Sequence, residues 1–162
     1  PITVRLIPSY NLCRNLNMLD TYMGMILPQV AWSIPFGTFL MRQFYMGIPK
    51  QLDEAAKIDG ASHFQIFWKI LLPNTKSSMT TLGIYTFISA WNNLIWMLLS
   101  VRSESKWTVT LGISSICGAS VIKQPTWNLI MGVIVIGMIP VLILFFAFQK
   151  YFMQSVAATG IK

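Results

Sequence analysis

Few residues of this chain have the chemistry for catalysis. Asp53, Glu54 and Asp59 lie in one short stretch with Lys50 and Lys57, and His63, the single histidine, follows close behind. An acid–base pair or a metal centre needs such groups to converge on one site. Their pattern is instead that of a solvated helix surface: Asp53 and Lys57 are spaced i,i+4 with the acid first, and Lys50 and Glu54 share the spacing in reverse. His63 has no second ligand type beside it and reads as a surface or contact residue. Cys13 and Cys117 lack metal spacing, which leaves open either a disulfide or two buried thiols. No G-x-x-x-x-G-K-[ST] loop occurs, so the chain lacks the usual cradle for ATP. No catalytic residue, metal ligand or cofactor site is assigned.

A second set of residues suits binding rather than reaction. Tyr85, Ser89, Asn92 and Trp96 recur at i, i+4, i+7 and i+11 in an otherwise apolar helix expected over Ser77–Ser100, with Trp91 and Asn93 flanking that face. Amides bond hydroxyls and aromatic rings stack on sugar faces, so this face is expected to line a solute pathway. The competing reading is interhelical glue worth on the order of 1 kcal/mol. Adjacent amides in mid-membrane are costly unless another helix or a wet cavity satisfies them. Gln29 and Ser33 stand near Pro28 and Pro35, each of which frees a carbonyl four residues back. They serve either that backbone or the pathway.

The elements that carry these residues follow from composition. The chain is 54% hydrophobic and 10% charged, far from an ordinary soluble surface. Thr21–Met41, Ser77–Val101 and Gln124–Gln149 contain no charged residue, and each exceeds the roughly 20 residues that a helix needs to cross a bilayer. Continuous apolarity excludes a barrel, whose strands alternate over about 10 residues. An all-α, polytopic bundle is expected, with complete membrane helices over 22–45, 77–100 and 128–148. Residues 1–20 are expected to hold the end of a further membrane helix and an outer loop, from which Asp20 or Thr21 caps the next helix. Residues 101–127 form a polar outer segment with a short helix around Leu111–Gly118. Gly24, Gly37, Gly132 and Gly137 permit close packing, Pro140 permits a bend, and Phe145, Phe146, Phe148, Tyr151 and Phe152 suit a membrane interface.

The net charge of +7 would raise nucleic-acid binding in a soluble protein. Here the basic residues are scattered singly along membrane edges, and no nucleic-acid partner is expected. Arg42, Lys50, Lys57, Lys69, Lys76, Lys150 and Lys162 lie on one side. Arg5, Arg14, Arg102, Lys106 and Lys123 lie on the other. The balance weakly favours a cytoplasmic location for residues 48–73.

Residues 48–73, IPKQLDEAAKIDGASHFQIFWKILLP, are the long polar interruption between apolar runs. They read as two short helices joined by a corner. Pro49 suits a first turn, Gly60 the left-handed helix end, and Ser62 with Gln65 a capping box. Phe64, Phe67, Trp68 and Leu71 form an aromatic stripe, and Pro73 stops the second helix. Glu54-Ala55-Ala56, then Gly60, then Ile70-Leu71-Leu72-Pro73 resembles the EAA loop of ATP-binding-cassette importer permeases. The string EAAKIDGAS is most similar to their carbohydrate-type branch. Asn15–Thr21, the Trp91-Asn92 pair and the tail Thr159-Gly160-Ile161-Lys162 also resemble that branch.

The resemblance implies a type I importer permease fold over 1–162, with 48–73 a cytoplasmic coupling hairpin in a bacterial or archaeal membrane. Glu54, Ala55, Ala56, Asp59, Gly60, Ile70, Leu72 and Pro73 would then meet a separate ATPase, which uses the ATP. A second related permease and an extracytoplasmic solute-binding protein would complete the complex. Residues 1–60 look similar to glycerol 3-phosphate permeases, while neutral oligosaccharides fit the Trp and Asn face equally. The chain starts at Pro1 without methionine or signal peptide, so a fragment lacking N-terminal helices is expected. The alternative is a membrane-embedded enzyme or scaffold in which the hairpin is only structural.

Overall fold

A computed structural model describes the backbone of residues 2–123 and 127–160, and the side chains of residues 3–118 and 127–149. Every regular element among them is helical: α1 (Ile2–Asn15), α2 (Tyr22–Met46), α3 (Lys50–Ile58), α4 (His63–Ile66), a π-helical turn (Phe67–Leu71), α5 (Leu72–Asn74), α6 (Lys76–Trp91), α7 (Leu94–Ser100), a 3-10 turn (Glu104–Lys106), α8 (Val109–Lys123) and α9 (Trp127–Gly160). α2 and the Trp127–Gln149 part of α9 are long and apolar enough to cross a membrane. α6 and α7 together supply a third such span, bent by 53°. The side chains of Lys123, Lys150, Tyr151 and Phe152 lie outside the described residues, as do Ile161 and Lys162 of the tail.

The chain forms two compact units, one of Pro1–Ser33 with Phe87–Ile143 and the other of Ile34–Thr86 with Leu144–Lys162. In the first, Leu6, Cys13, Met25, Trp96, Met97, Val101 and Leu111 make the core. Its centre follows from a proline. Pro28 has no N–H, so the Gly24 carbonyl loses its helical donor. The Trp96 indole donates to that carbonyl at 3.1 Å and sets its edge against Trp32, centroids 5.1 Å apart. Gly24 allows the approach of the preceding turn, because a Cβ there would lie 2.1 Å from the Met18 carbonyl oxygen. Gln29 and Ser33 turn onto their own helix, donating to Met25 O at 3.1 Å and Val30 O at 2.8 Å. Thr21 caps α2 by accepting from Gly24 N–H at 3.1 Å.

The expected continuous helix over Ser77–Ser100 is not found: it breaks at Asn92–Asn93. Asn93 is the N-cap of α7, accepting from Trp96 N–H at 3.3 Å. Asn92 turns its amide back to Ile88 O at 3.0 Å. The Thr110 hydroxyl donates to the Trp91 carbonyl exposed by the break. The adjacent amides therefore mark a helix restart, which the apolar periodicity on either side conceals. Close packing also makes use of Gly137, where a Cβ would meet Ile113 Cδ1 at 2.4 Å, whereas Gly132 faces open space. α8 is longer than the short helix expected at Leu111–Gly118, and Cys13 and Cys117 are free thiols.

In the second unit, Gly37 admits Leu82, whose Cδ2 would lie 3.5 Å from a Cβ there. Phe36 and Tyr85 pack with centroids 4.6 Å apart. The hairpin of α3 and α4 follows, in which Ala56 and Ile66 are both buried.

Candidate functional site

The hairpin is built from local rules. Pro49 is the N-cap residue rather than the first helical one, and α3 begins at Lys50. Asp53 and Lys57 close their i,i+4 pair at 2.6 Å; Lys50 and Glu54 form no ion pair among the described residues. At the end of α3, Gly60 has φ of 76°. Its N–H donates to Lys57 O at 3.0 Å and Ala61 N–H donates to Ala56 O at 2.9 Å, the Schellman closure that a left-handed residue permits. Ser62 and Gln65 then form the full capping box, with bonds of 2.8 and 3.3 Å.

One expectation for the second arm is corrected. Pro73 does not stop the helix; it lies inside α5, and the chain turns only at Thr75 before α6. Without an N–H at 73 and with its ring facing the Lys69 carbonyl, the preceding turn widens to the π form over Phe67–Leu71. Asn74 Nδ2 donates to Ile70 O at 2.7 Å, and the Thr75 hydroxyl bridges Leu71 O and Leu72 O at 3.1 Å each. The aromatic stripe lies largely on the exposed side. Ile66 is buried, while Phe64 is 73% and Trp68 52% exposed. Phe67 and Leu71 are half-buried, Phe67 against Tyr45 with centroids 6.4 Å apart.

Of the residues singled out in the hairpin, Glu54, Ala55, Asp59, Gly60 and Pro73 are exposed, and Ile70 and Leu72 half-buried. Ala56 is buried. Its side chain is therefore covered within the structure, and close approach of an outside surface falls to exposed Ala55. Leu52 and Ile58 are exposed as well. A short helical hairpin with a carboxylate beside uncovered Leu52, Ile58, Phe64 and Trp68 has the composition of a docking surface. Replacement of Gly60 by valine is expected to open the corner, since a β-branched residue at this φ costs roughly 1–2 kcal/mol. Asparagine, which tolerates that conformation, is expected to preserve it. Proteolytic nicking of 48–73 in detergent distinguishes them; equal resistance of the valine variant and the parent would contradict the corner argument.

The helix break reorganises the polar–aromatic face. Tyr85 is half exposed and rests on Phe36. In the first unit Ser89 and Asn92 are exposed, and Trp91 stacks on Phe87 at 5.6 Å. Trp96, with no exposed surface, is on another helix and belongs to the core. It does not share a face with Asn92.

Sequence reasoning missed the role of Asp20. Rather than capping α2, its carboxylate accepts from Arg102 N–H and Ser103 N–H, both at 3.0 Å, and from the Ser103 hydroxyl. Lys106 Nζ lies 3.5 Å from it and donates to the Asp20 carbonyl. The signal was present: only Asp20 and Glu104 among the five acids lie outside the hairpin. The Ser103 hydroxyl, then the Ser103 and Arg102 amides, hold the carboxyl well below the usual carboxylate range, with Lys106 adding to them. A depressed pKa stabilises the fold fully above the unfolded value of about 3.9, and that stability is lost as pH falls towards the folded value. Asp20→Asn is therefore expected to lower the melting temperature at pH 7, with the gap to the parent narrowing below about pH 4. A pH-independent gap would contradict this.

Residues 3–158 match the family model described as binding-protein-dependent transport system inner membrane component. The chain is 38% identical over 156 residues to the sn-glycerol-3-phosphate transport system permease protein of Yersinia enterocolitica, covering 96% of this chain and 54% of the relative. It is 32% identical over 162 residues to the arabinooligosaccharides transport system permease protein of Bacillus subtilis, covering all of this chain and 56% of the relative. The chain thus spans about half the length of the curated relatives it matches. A crystal structure of a bacterial ABC transporter involved in the import of the acidic polysaccharide alginate superposes with a TM-score of 0.73 at 28% identity, covering 90% of this chain and 55% of the other.

Proposed function

The chain belongs to the family of binding-protein-dependent transport system inner membrane components, and from that premise we propose that it is the permease subunit of an ATP-driven importer of sugar-type solutes. It acts without catalysis of its own and binds no cofactor, and a separate ATPase docks on the hairpin at 48–73 and hydrolyses the ATP. The single observation that carries this reading is exposed Glu54 and Ala55 beside uncovered Leu52, Ile58, Phe64 and Trp68. A second permease and an extracytoplasmic binding protein complete the complex in a bacterial or archaeal cell membrane, with the hairpin cytoplasmic. Closure of the ATPases draws the hairpins together and shifts the membrane helices between inward- and outward-open states, which requires the hairpin to bind the ATPase differently in the two. Ser89, Trp91 and Asn92 line the solute path, with Trp96 in the core of the same unit. The cargo class follows the relatives, which are named for sn-glycerol 3-phosphate and arabinooligosaccharides. Uptake by proteoliposomes holding the full complex tests it. Accumulation of a glycerol phosphate or an oligosaccharide that requires internal ATP is expected; ATP-independent uptake, or none, would refute the proposal.

A further inference from the structure

α1 carries an arginine whose environment is incomplete. The Arg5 guanidinium lies over the Trp32 ring, 4.6 Å from its centroid, and its Nε is buried without a hydrogen-bond partner. Among the described residues Arg5 forms no ion pair. Its own unit has only two acids, Asp20 and Glu104, and Asp20 is already bonded to Ser103 and Lys106 at the loop end.

Position follows from the helical rise. Ten residues separate Arg5 from Asn15, the end of α1, and ten separate Tyr22, the start of α2, from Trp32. Each stretch is about 15 Å of helix. Arg5 and Trp32 therefore meet about 15 Å along their helices from the turn that joins α1 to α2. A guanidinium whose Nε is buried and unbonded is costly and marks a site that another group completes. A guanidinium held over a ring by its cationic carbon still carries planar N–H groups that suit two-point recognition of a carboxylate or phosphate. The Trp32 ring beside it is held in place by Trp96 and offers a surface for the sugar body.

We propose that Arg5, stacked on Trp32, is the anion-recognising subsite of the transport path, and that the cargo is an acidic sugar-type solute bearing a carboxylate or phosphate. This rests on the permease reading above. It also assigns a specificity residue to α1, away from the amide face of α6.

The test is equilibrium binding to the purified complex of full-length permease, partner permease and ATPases in lipid nanodiscs. The probes are glycerol 3-phosphate, a galacturonate disaccharide and, as neutral control, arabinobiose. The wild-type complex is expected to bind one of the two acidic probes more tightly than arabinobiose. Arg5→Gln is expected to weaken that binding by roughly 30-fold or more, as removal of one partner of a desolvated charge pair does. Arg5→Lys is expected to fall between them, because an ammonium lacks the planar fork. The proposal is overturned if wild type binds arabinobiose at least as tightly as both acids, if no probe binds, or if Arg5→Gln retains acidic-probe affinity. Loss of assembly with the partner permease in both variants would make Arg5 an intersubunit or folding residue and equally overturn it. Failure of the wild-type chain to assemble with any ATPase would instead refute the permease reading itself.

Discussion

Glu54→Lys is expected to lower solute-stimulated ATP hydrolysis of the reconstituted complex by at least roughly 30-fold, the effect of about 2–5 kcal/mol lost when one partner of a desolvated interface pair is removed. Glu54 is exposed and unpaired among the described residues, next to Ala55, whose small side chain admits a close surface. Its neighbour provides the control. Asp53 is already paired with Lys57 on the same helix at 2.6 Å, an exposed i,i+4 contact worth about 0.3–0.5 kcal/mol. Asp53→Asn is therefore expected to change stimulation by less than about threefold. A reversed charge on the facing ATPase residue is expected to restore part of the activity of Glu54→Lys. Wild-type stimulation in Glu54→Lys would reduce Glu54 to a solvated charge and leave docking to Leu52, Ile58, Phe64 and Trp68.

Trp96→Ala is expected to produce the largest loss of stability. The side chain has no exposed surface, and truncating a buried aromatic costs about 3–5 kcal/mol. The same change removes the donor to Gly24 O, a carbonyl that Pro28 already leaves without its helical partner. Trp96→Phe separates the two contributions: it refills most of the volume but leaves the carbonyl unsatisfied, at about 1–3 kcal/mol. Ile95, more than half exposed, is expected to tolerate alanine with little change. Thermal unfolding of the full-length protein in detergent checks the order. An unaltered melting temperature for Trp96→Ala with changed solute preference would return Trp96 to the solute path.

Local signals were legible wherever a short-range rule decides the backbone. Gly60, Ser62 and Gln65 specify the corner through conformation and capping alone, and the structure forms all three features. The all-helical membrane architecture was likewise legible, because long charge-free runs leave the backbone no other way to satisfy itself. What the sequence concealed are bonds between distant segments. Asn92 and Asn93 look like polar residues on one helical face. They become a helix restart because Thr110 satisfies Trp91 O from a different helix. Asp20 resembles a cap until Ser103 and Lys106 arrive from more than 80 residues away. Pro73 resembles a terminator, yet the π turn and two side-chain donors carry the helix past it. The burial of Ile66 in place of the larger aromatics follows the same logic, since only the tertiary partner decides which hydrophobic face is covered.

The central claim is that residues 48–73 join this chain to a separate ATPase. The most direct measurement is co-purification of the full-length, affinity-tagged chain from native membranes in mild detergent. Parent protein is expected to bring down an ATPase subunit in stoichiometric amount, and Glu54→Lys to bring down much less while retaining its membrane insertion. Purification of the parent chain alone, or with an ATPase that remains bound after the hairpin's Glu54, Leu52 and Phe64 are all replaced, would contradict the account.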